Sequence, residues 1–207
     1  MNFQDYERIK GVIGDIYEEN SDFLNTIPID VVGLAKRMGF KIIYLSKMLM
    51  LDGNANNKKL EEYQKIVSGP SIDGCSFYDK EKEQFIIYIN DVDYHKTRNR
   101  FTIAHEIGHI VLNHFESGDA KENEIEANYF AGYLLLPDCI GIIPSVYEKL
   151  ANDFRLVIIL FGLSIDTANI CFNHIENRMN AHPVENNYEK VICNCLTQAV
   201  LTKIRDL

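Results

Sequence analysis

His105-Glu106-Ile107-Gly108-His109 is the stretch whose reading decides the fold. It lies inside an apolar run with helical spacing. On a helix, residues four apart share a face, so His105 and His109 can present their imidazoles to one metal ion. Glu106 projects along the edge of that face, where it can accept a proton from water rather than bind the metal itself. H-E-x-x-H is the spacing that zinc peptidases use. The bland alternative is a surface helix with two exposed or hydrogen-bonded histidines, and the sequence around the motif weighs against it.

A catalytic zinc takes three protein ligands and keeps a fourth position open, so two histidines do not suffice. The next acidic cluster, Glu122-Asn123-Glu124-Ile125-Glu126-Ala127-Asn128, opens a second helical pattern that runs to Leu136 and is stopped by Pro137. The polar stretch from Asn113 to Lys121 is long enough to turn the chain back, and two antiparallel helices would bring the cluster over the histidine pair. Glu124 shares a face with Asn128, Ala131 and Leu135, a mostly small set that allows close approach. Glu126 shares its face with Phe130 and Tyr133. Glu124 is therefore the preferred third ligand, Glu126 is the alternative, and Asn128 is placed to hydrogen-bond a histidine. Part of this acidity also complements the dipole of a helix N-terminus.

The runs Arg100-Phe101-Thr102-Ile103-Ala104-His105-Glu106-Ile107-Gly108-His109, Glu124-Ile125-Glu126-Ala127-Asn128-Tyr129-Phe130-Ala131 and Leu134-Leu135-Leu136-Pro137 resemble the ImmA/IrrE family of metallopeptidases. Ile27-Pro28-Ile29-Asp30 leading into Leu34-Ala35-Lys36-Arg37-Met38-Gly39 is similar to that family's N-terminal region. The resemblance spans about Ile27 to Pro137 and fades beyond it. It implies an α+β fold with a zincin-like metallopeptidase core, in which a small β-sheet packs on the H-E-x-x-H helix and a helical C-terminal part follows. It also implies a soluble Zn²⁺ endopeptidase of a bacterium, phage or mobile genetic element, and the lack of a signal or membrane-spanning pattern makes a cytoplasmic location the expectation. Its expected substrate is a helix-turn-helix repressor, whose cleavage derepresses mobile-element or stress genes. His105 and His109 would be ligands, Glu106 the base, and a glutamate of the Glu124 cluster the third ligand. Family members often carry an arginine after a serine in a C-terminal segment. The comparable run Leu163-Ser164-Ile165-Asp166-Thr167-Ala168-Asn169-Ile170-Cys171-Phe172 has none.

Composition fits this picture. The chain has 207 residues, 46% hydrophobic and 25% charged, enough to bury a real core. No stretch approaches the roughly 20 apolar residues of a membrane span, and the N-terminus lacks a signal pattern. Five cysteines, an odd number, suit a compartment where thiols stay reduced. Cys75, Cys139 and Cys171 read as small hydrophobes, and Cys193-Asn194-Cys195, which has no partner pair at zinc-site spacing, reads as ordinary core or surface thiols. A net charge of -9 disfavours direct nucleic-acid binding and suits docking to a basic protein.

Hydrophobic periodicity predicts a helix over Asn2–Asn20 and a short one starting near Pro28 and ending at Gly39. A strand over Phe40–Leu45 and a hairpin of Ile72–Tyr78 with Gln84–Asn90 follow. An extended substrate can pair with an exposed strand edge, with Phe85–Ile89 or its partner as the rail. Ser46–Gly69 reads as an insertion, and Asn177–Asn187 as a linker before a terminal helix. Pro144–Asp153, Phe154–Gly162, Ile165–Asn177 and Tyr188–Asp206 are helical by periodicity. Residues 1–137 form the expected core, including the N-terminal helices. Residues 138–207 form a mostly helical region that can belong to the same domain. His114 is expected to point off the metal face to the surface, and His95, His174 and His182 have no assigned partner. The competing function is a metal-sensing regulatory protein on a zincin scaffold, but an intact Glu106 favours hydrolysis.

Overall fold

Asn2 starts the first helix with a reciprocal cap: its side chain accepts from the backbone N–H groups of Gln4 and Asp5, and Asp5 accepts from the N–H of Asn2. Helix α1 (Phe3–Glu19) then buries Ile9, Ile13, Ile16 and Tyr17, a stripe with helical spacing. This computed structural model describes residues 2–47, 73–91, 96–115, 119–180 and 186–206.

Helix α2 (Val31–Arg37) begins later than its proline suggested. Ile27–Pro28 is a cis peptide, and Asp30 is the cap, its side chain accepting from the N–H of Gly33. Pro28 therefore lies in the loop before the helix. The far end behaves as expected, with Gly39 at φ 81°.

Among the described residues the sheet has three strands, β1 (Lys41–Tyr44), β2 (Gly74–Asp79) and β3 (Gln84–Ile89), in the order β1-β3-β2. β1 runs parallel to β3, with Lys41 opposite Ile86, and β2 runs antiparallel to it, with Gly74 opposite Ile89. β3 is thus central and buries Ile86, Ile87 and Ile89. Among the described residues its partner β2 is an edge strand, so of the two rails expected from sequence β2 is the one that offers an edge there. Most of the expected insertion Ser46–Gly69 lies outside the described residues.

Helix α3 (Lys96–Val111) carries the H-E-x-x-H motif and packs on β2, β3 and α2, with Ile103, Ala104 and Ile107 buried among Ile87 and Ile89. Gly74 permits the close approach of β2, because a Cβ there would sit 2.6 Å from Thr102 Cγ2. Asp119 caps helix α4 (Ala120–Leu135), which makes its most extensive contact with α3. Gly108 lets the two helices meet: its Cβ would stand 2.9 Å from Phe130 Cδ1. After Pro137 a 3₁₀ turn (Asp138–Ile142) leads into α5 (Pro144–Asn152), α6 (Arg155–Phe161), α7 (Ile165–Asn180) and α8 (Asn187–Arg205). α7 runs past Asn177, so the expected linker begins inside a helix, and residues 181–185 lie outside the described residues.

Cys193 and Cys195 sit on α8, as the helical periodicity of Tyr188–Asp206 predicts, and the Cys193 thiol donates to the Cys139 carbonyl. Cys139 and Cys171 are buried and Cys75 is half-buried, all as free thiols. α8 packs on α1 and on the 3₁₀ turn, and one apolar cluster runs from Ile9 to Val200. No single helix among the described residues is long and apolar enough to cross a membrane.

Candidate metal centre

α3 and α4 run antiparallel across the motif, so successive turns of one face successive turns of the other in reverse order. His105 meets Asn128, and His109 meets Glu124. His105 Nε2 lies 3.0 Å from His109 Nε2, and the Glu124 carboxylate lies 3.4 Å from each of these nitrogens. A tetrahedral ion with bonds of about 2.0–2.1 Å holds its ligand atoms about 3.3–3.4 Å apart. Two imidazole nitrogens and a carboxylate whose Oε2 stands 3.4 Å from His105 and whose Oε1 stands 3.4 Å from His109 fit a zinc-type ion, and one ligand atom from each of the three residues lies within 4.8 Å of the others. Burial holds both imidazoles down at about 4, so both are neutral at neutral pH with a lone pair available.

Each imidazole is oriented from behind. The Nδ1–H of His105 donates to Asn128 Oδ1 at 3.0 Å, which leaves Nε2 as the lone-pair nitrogen. His109 Nδ1 lies 2.9 Å from His114 Nδ1, and His114 Nε2 lies 3.1 Å from Glu126 Oε2. The consistent assignment is His109 Nδ1–H donating to His114, and His114 Nε2–H donating to Glu126. Arg8 of α1 closes this chain through an ion pair with the same Glu126 oxygen.

His114 is therefore not a surface residue. Its side chain is only 6% exposed. Helical geometry continued to residue 114 would point it outward, whereas α3 ends at Val111 and Asn113 adopts φ 59°. The His114 N–H then bonds the His109 carbonyl, the closing bond of a helix end with a left-handed residue, and this turn swings the ring back onto His109. Asn113, a residue that tolerates that conformation just past a helix, was the available signal. His174 is exposed, its ring 5.8 Å from that of Tyr129. His95 and His182 lie outside the described residues.

Glu106 points to the other side of the motif, where it is 3% exposed. Ser76 Oγ, on edge strand β2, donates to Glu106 Oε2 at 2.6 Å. Burial pushes the Glu106 carboxyl up to about 7; the Ser76 hydrogen bond opposes that shift and the nearby charge of Glu124 adds to it. Nothing in the sequence marked Ser76, because its relation to Glu106 arises only when β2 packs on α3.

The structure thus brings together His105, His109 and Glu124, with Glu106 beside them, and puts Glu126 behind His109 instead. The model of the IrrE N-terminal-like domain, a peptidase family, matches residues 35–142, more than half of the chain. The chain belongs to that family. No curated protein is significantly similar to it. The IrrE-like region runs from inside α2 to the 3₁₀ turn and contains every residue of the metal cluster. Arg8 lies outside the IrrE-like region, on α1. Family and cluster together support a metal-binding protein of peptidase type.

Proposed function

We propose that this protein is a cytoplasmic zinc endopeptidase that cleaves a helix-turn-helix repressor and so derepresses mobile-element or stress genes. The observation that carries the hydrolytic part is the pairing of a convergent His105–His109–Glu124 donor set with a buried, hydrogen-bonded Glu106. A site that merely stores or senses a metal has no use for such a base.

His105, His109 and Glu124 would hold the ion, which as a Lewis acid would polarise the scissile carbonyl and acidify water. Ser76 fixes Oε2 of Glu106, leaving Oε1 to accept the water proton and pass it to the departing amine. Ser76 belongs to the edge strand β2, so an extended peptide paired to that edge would run alongside Glu106. The repressor as substrate rests on the resemblance to the ImmA/IrrE family. The net charge of -9 suits a basic DNA-binding partner.

The test is incubation of the zinc-loaded chain with the helix-turn-helix repressor encoded beside its gene. We expect one zinc per chain, a single cleavage, and a Glu106→Gln variant that binds zinc and repressor but leaves the repressor intact. A wild-type chain that binds zinc and repressor without cutting would replace this reading with that of a metal-sensing regulatory protein.

A further inference from the structure

Away from the metal centre, two thiols lie side by side. Cys139 belongs to the 3₁₀ turn that follows α4, and Cys193 belongs to α8, which packs on that turn. The Cys193 S–H donates to the Cys139 carbonyl at 3.4 Å, and the Cys139 S–H donates to the Cys193 sulfur. Cys139 is fully buried and Cys193 half-buried, so a small solute reaches the pair from the Cys193 side.

Two ion pairs hold the elements that carry these sulfurs. Asp138, the neighbour of Cys139, accepts from Lys10 Nζ of α1 at 3.0 Å. Glu189, one turn before Cys193 on α8, accepts from Arg178 of α7 at 2.8 Å. Asp138 and Glu189 are both buried, so neither pair is loosened by water as a surface pair would be. The turn and the helix are thus each tied to a neighbour beside the thiols.

The five cysteines are not equivalent. Burial pushes the Cys75 and Cys171 thiols up to about 12 and raises Cys195 as well. Cys193 alone moves down. The hydrogen bond from Cys139 favours its thiolate and, helped by the Arg178 charge, outweighs burial and the charges of Glu189 and Asp138. Cys139 moves up, because it gives that hydrogen bond and because it is buried. A partly exposed sulfur inclined to ionise, with a second thiol in contact to resolve it, is the arrangement of a cysteine pair that peroxide oxidises.

We propose that Cys139 and Cys193 form a redox-active dithiol, which hydrogen peroxide converts to a disulfide that staples α8 to the turn after α4. The Cys193 sulfur attacks one peroxide oxygen and the O–O bond breaks. The departing hydroxide takes the Cys193 proton as water, leaving a sulfenic acid. The Cys139 sulfur then attacks that of Cys193: the S–S bond forms, the S–O bond breaks, and the leaving hydroxide takes the Cys139 proton as a second water. The two thiols supply the two electrons that reduce the peroxide. Cys139 lies inside the IrrE-like region and Cys193 beyond it, so the bond joins that region to the C-terminal helix. The inference stands whether or not the metal centre hydrolyses peptides, because none of its groups is a metal ligand.

The test treats the reduced, zinc-loaded full chain with a small excess of hydrogen peroxide, then maps its thiols by mass spectrometry. We expect the loss of two thiols and two hydrogens per chain, a Cys139–Cys193 linked peptide, and full reversal by a phosphine reductant. The bond closes a long loop, so the unfolding midpoint should rise by roughly 5–15 °C, with one zinc per chain retained. Cys193→Ser should abolish the linked peptide and leave Cys139 free to alkylate after unfolding. Cys139→Ala should stop at the sulfenic acid of Cys193, which dimedone labels. If Cys139→Ala fails to fold, iodoacetamide on the native wild type replaces it, and should alkylate Cys193 at least tenfold faster than Cys75 or Cys171. Survival of all five thiols, a linked peptide that uses another cysteine, or equal alkylation rates would overturn the proposal. So would an unchanged or lower midpoint in the oxidised chain, since the staple would then constrain nothing.

Discussion

Two glutamates two residues apart, Glu124 and Glu126, meet the same histidine from opposite ends. Glu124 faces His109 Nε2, the nitrogen available to a metal, while Glu126 reaches His109 Nδ1 only through His114. Their substitution should therefore have different consequences. Glu124→Ala removes a ligand atom and should abolish tight zinc binding. His114→Ala and Glu126→Ala keep all three donors but free the His109 ring, and each should weaken zinc by about 10–100-fold. The double variant should be little worse than either single one, because both break one chain of hydrogen bonds. Zinc titration against a chromophoric chelator reads all four proteins; equal losses for Glu124→Ala and Glu126→Ala would refute this division of roles. Ser76 makes a second residue-level prediction. Its hydrogen bond favours the charged form of Glu106, so Ser76→Ala should raise that pKa and move the acid limb of the pH–rate profile to higher pH. A limb that stays in place, or moves down, would mean that Ser76 does not tune the base.

At the scale of elements, the packing of α4 onto α3 decides whether the donor atoms converge, and Gly108 is the point of closest approach. Gly108→Ala gains about 1 kcal/mol of helix propensity but drives a Cβ to within 2.9 Å of the fully buried Phe130 ring. Phe130 has nowhere to retreat, so overpacking, typically about 1–3 kcal/mol, should win. We expect a lower unfolding midpoint together with weaker zinc binding; a stabilised variant with normal zinc affinity would show that the helices have slack at this crossing. What could be read from sequence divides along the same line. The H-E-x-x-H helix, the return helix ending before Pro137, the β2–β3 hairpin and the contact of Asn128 with a motif histidine all follow from local periodicity and capping chemistry. Ser76 and Arg8 could not be read that way, and His114 only through Asn113 just past the helix end. Each reaches the site through a left-handed turn, a strand packing or a helix distant in sequence. The start of α2 differs from the expectation for a local reason: a proline suits the first helical position, but Asp30, two residues on, supplies the cap.

At the scale of the whole molecule, metal and core act on one folding equilibrium. Zinc that binds only the native state at a thousand times its Kd should add about 4 kcal/mol. For a chain of this size that corresponds to an unfolding midpoint about 8–16 °C higher than that of the chelator-treated protein. The gain should vanish in Glu124→Ala. The C-terminal helices raise the last question, whether residues 1–137 can fold without them. Tyr188 of α8 lies over Gly14 of α1 so closely that any Cβ at Gly14 would meet the Tyr188 Cβ. Ile192, Leu196 and Val200 are buried in the same cluster as Ile9 and Ile13. Asp138, the partner of buried Lys10, is itself beyond Pro137. A chain ending at Pro137 therefore exposes one face of α1 and leaves the Lys10 ammonium unpaired, losses that together exceed the roughly 5–15 kcal/mol that stabilise a typical domain only if most of that face depends on α8. The shared cluster says that it does. The truncated chain should lack a cooperative thermal transition and bind zinc weakly. A cooperatively folding 1–137 fragment with full zinc affinity would instead make the C-terminal helices a separate appendage.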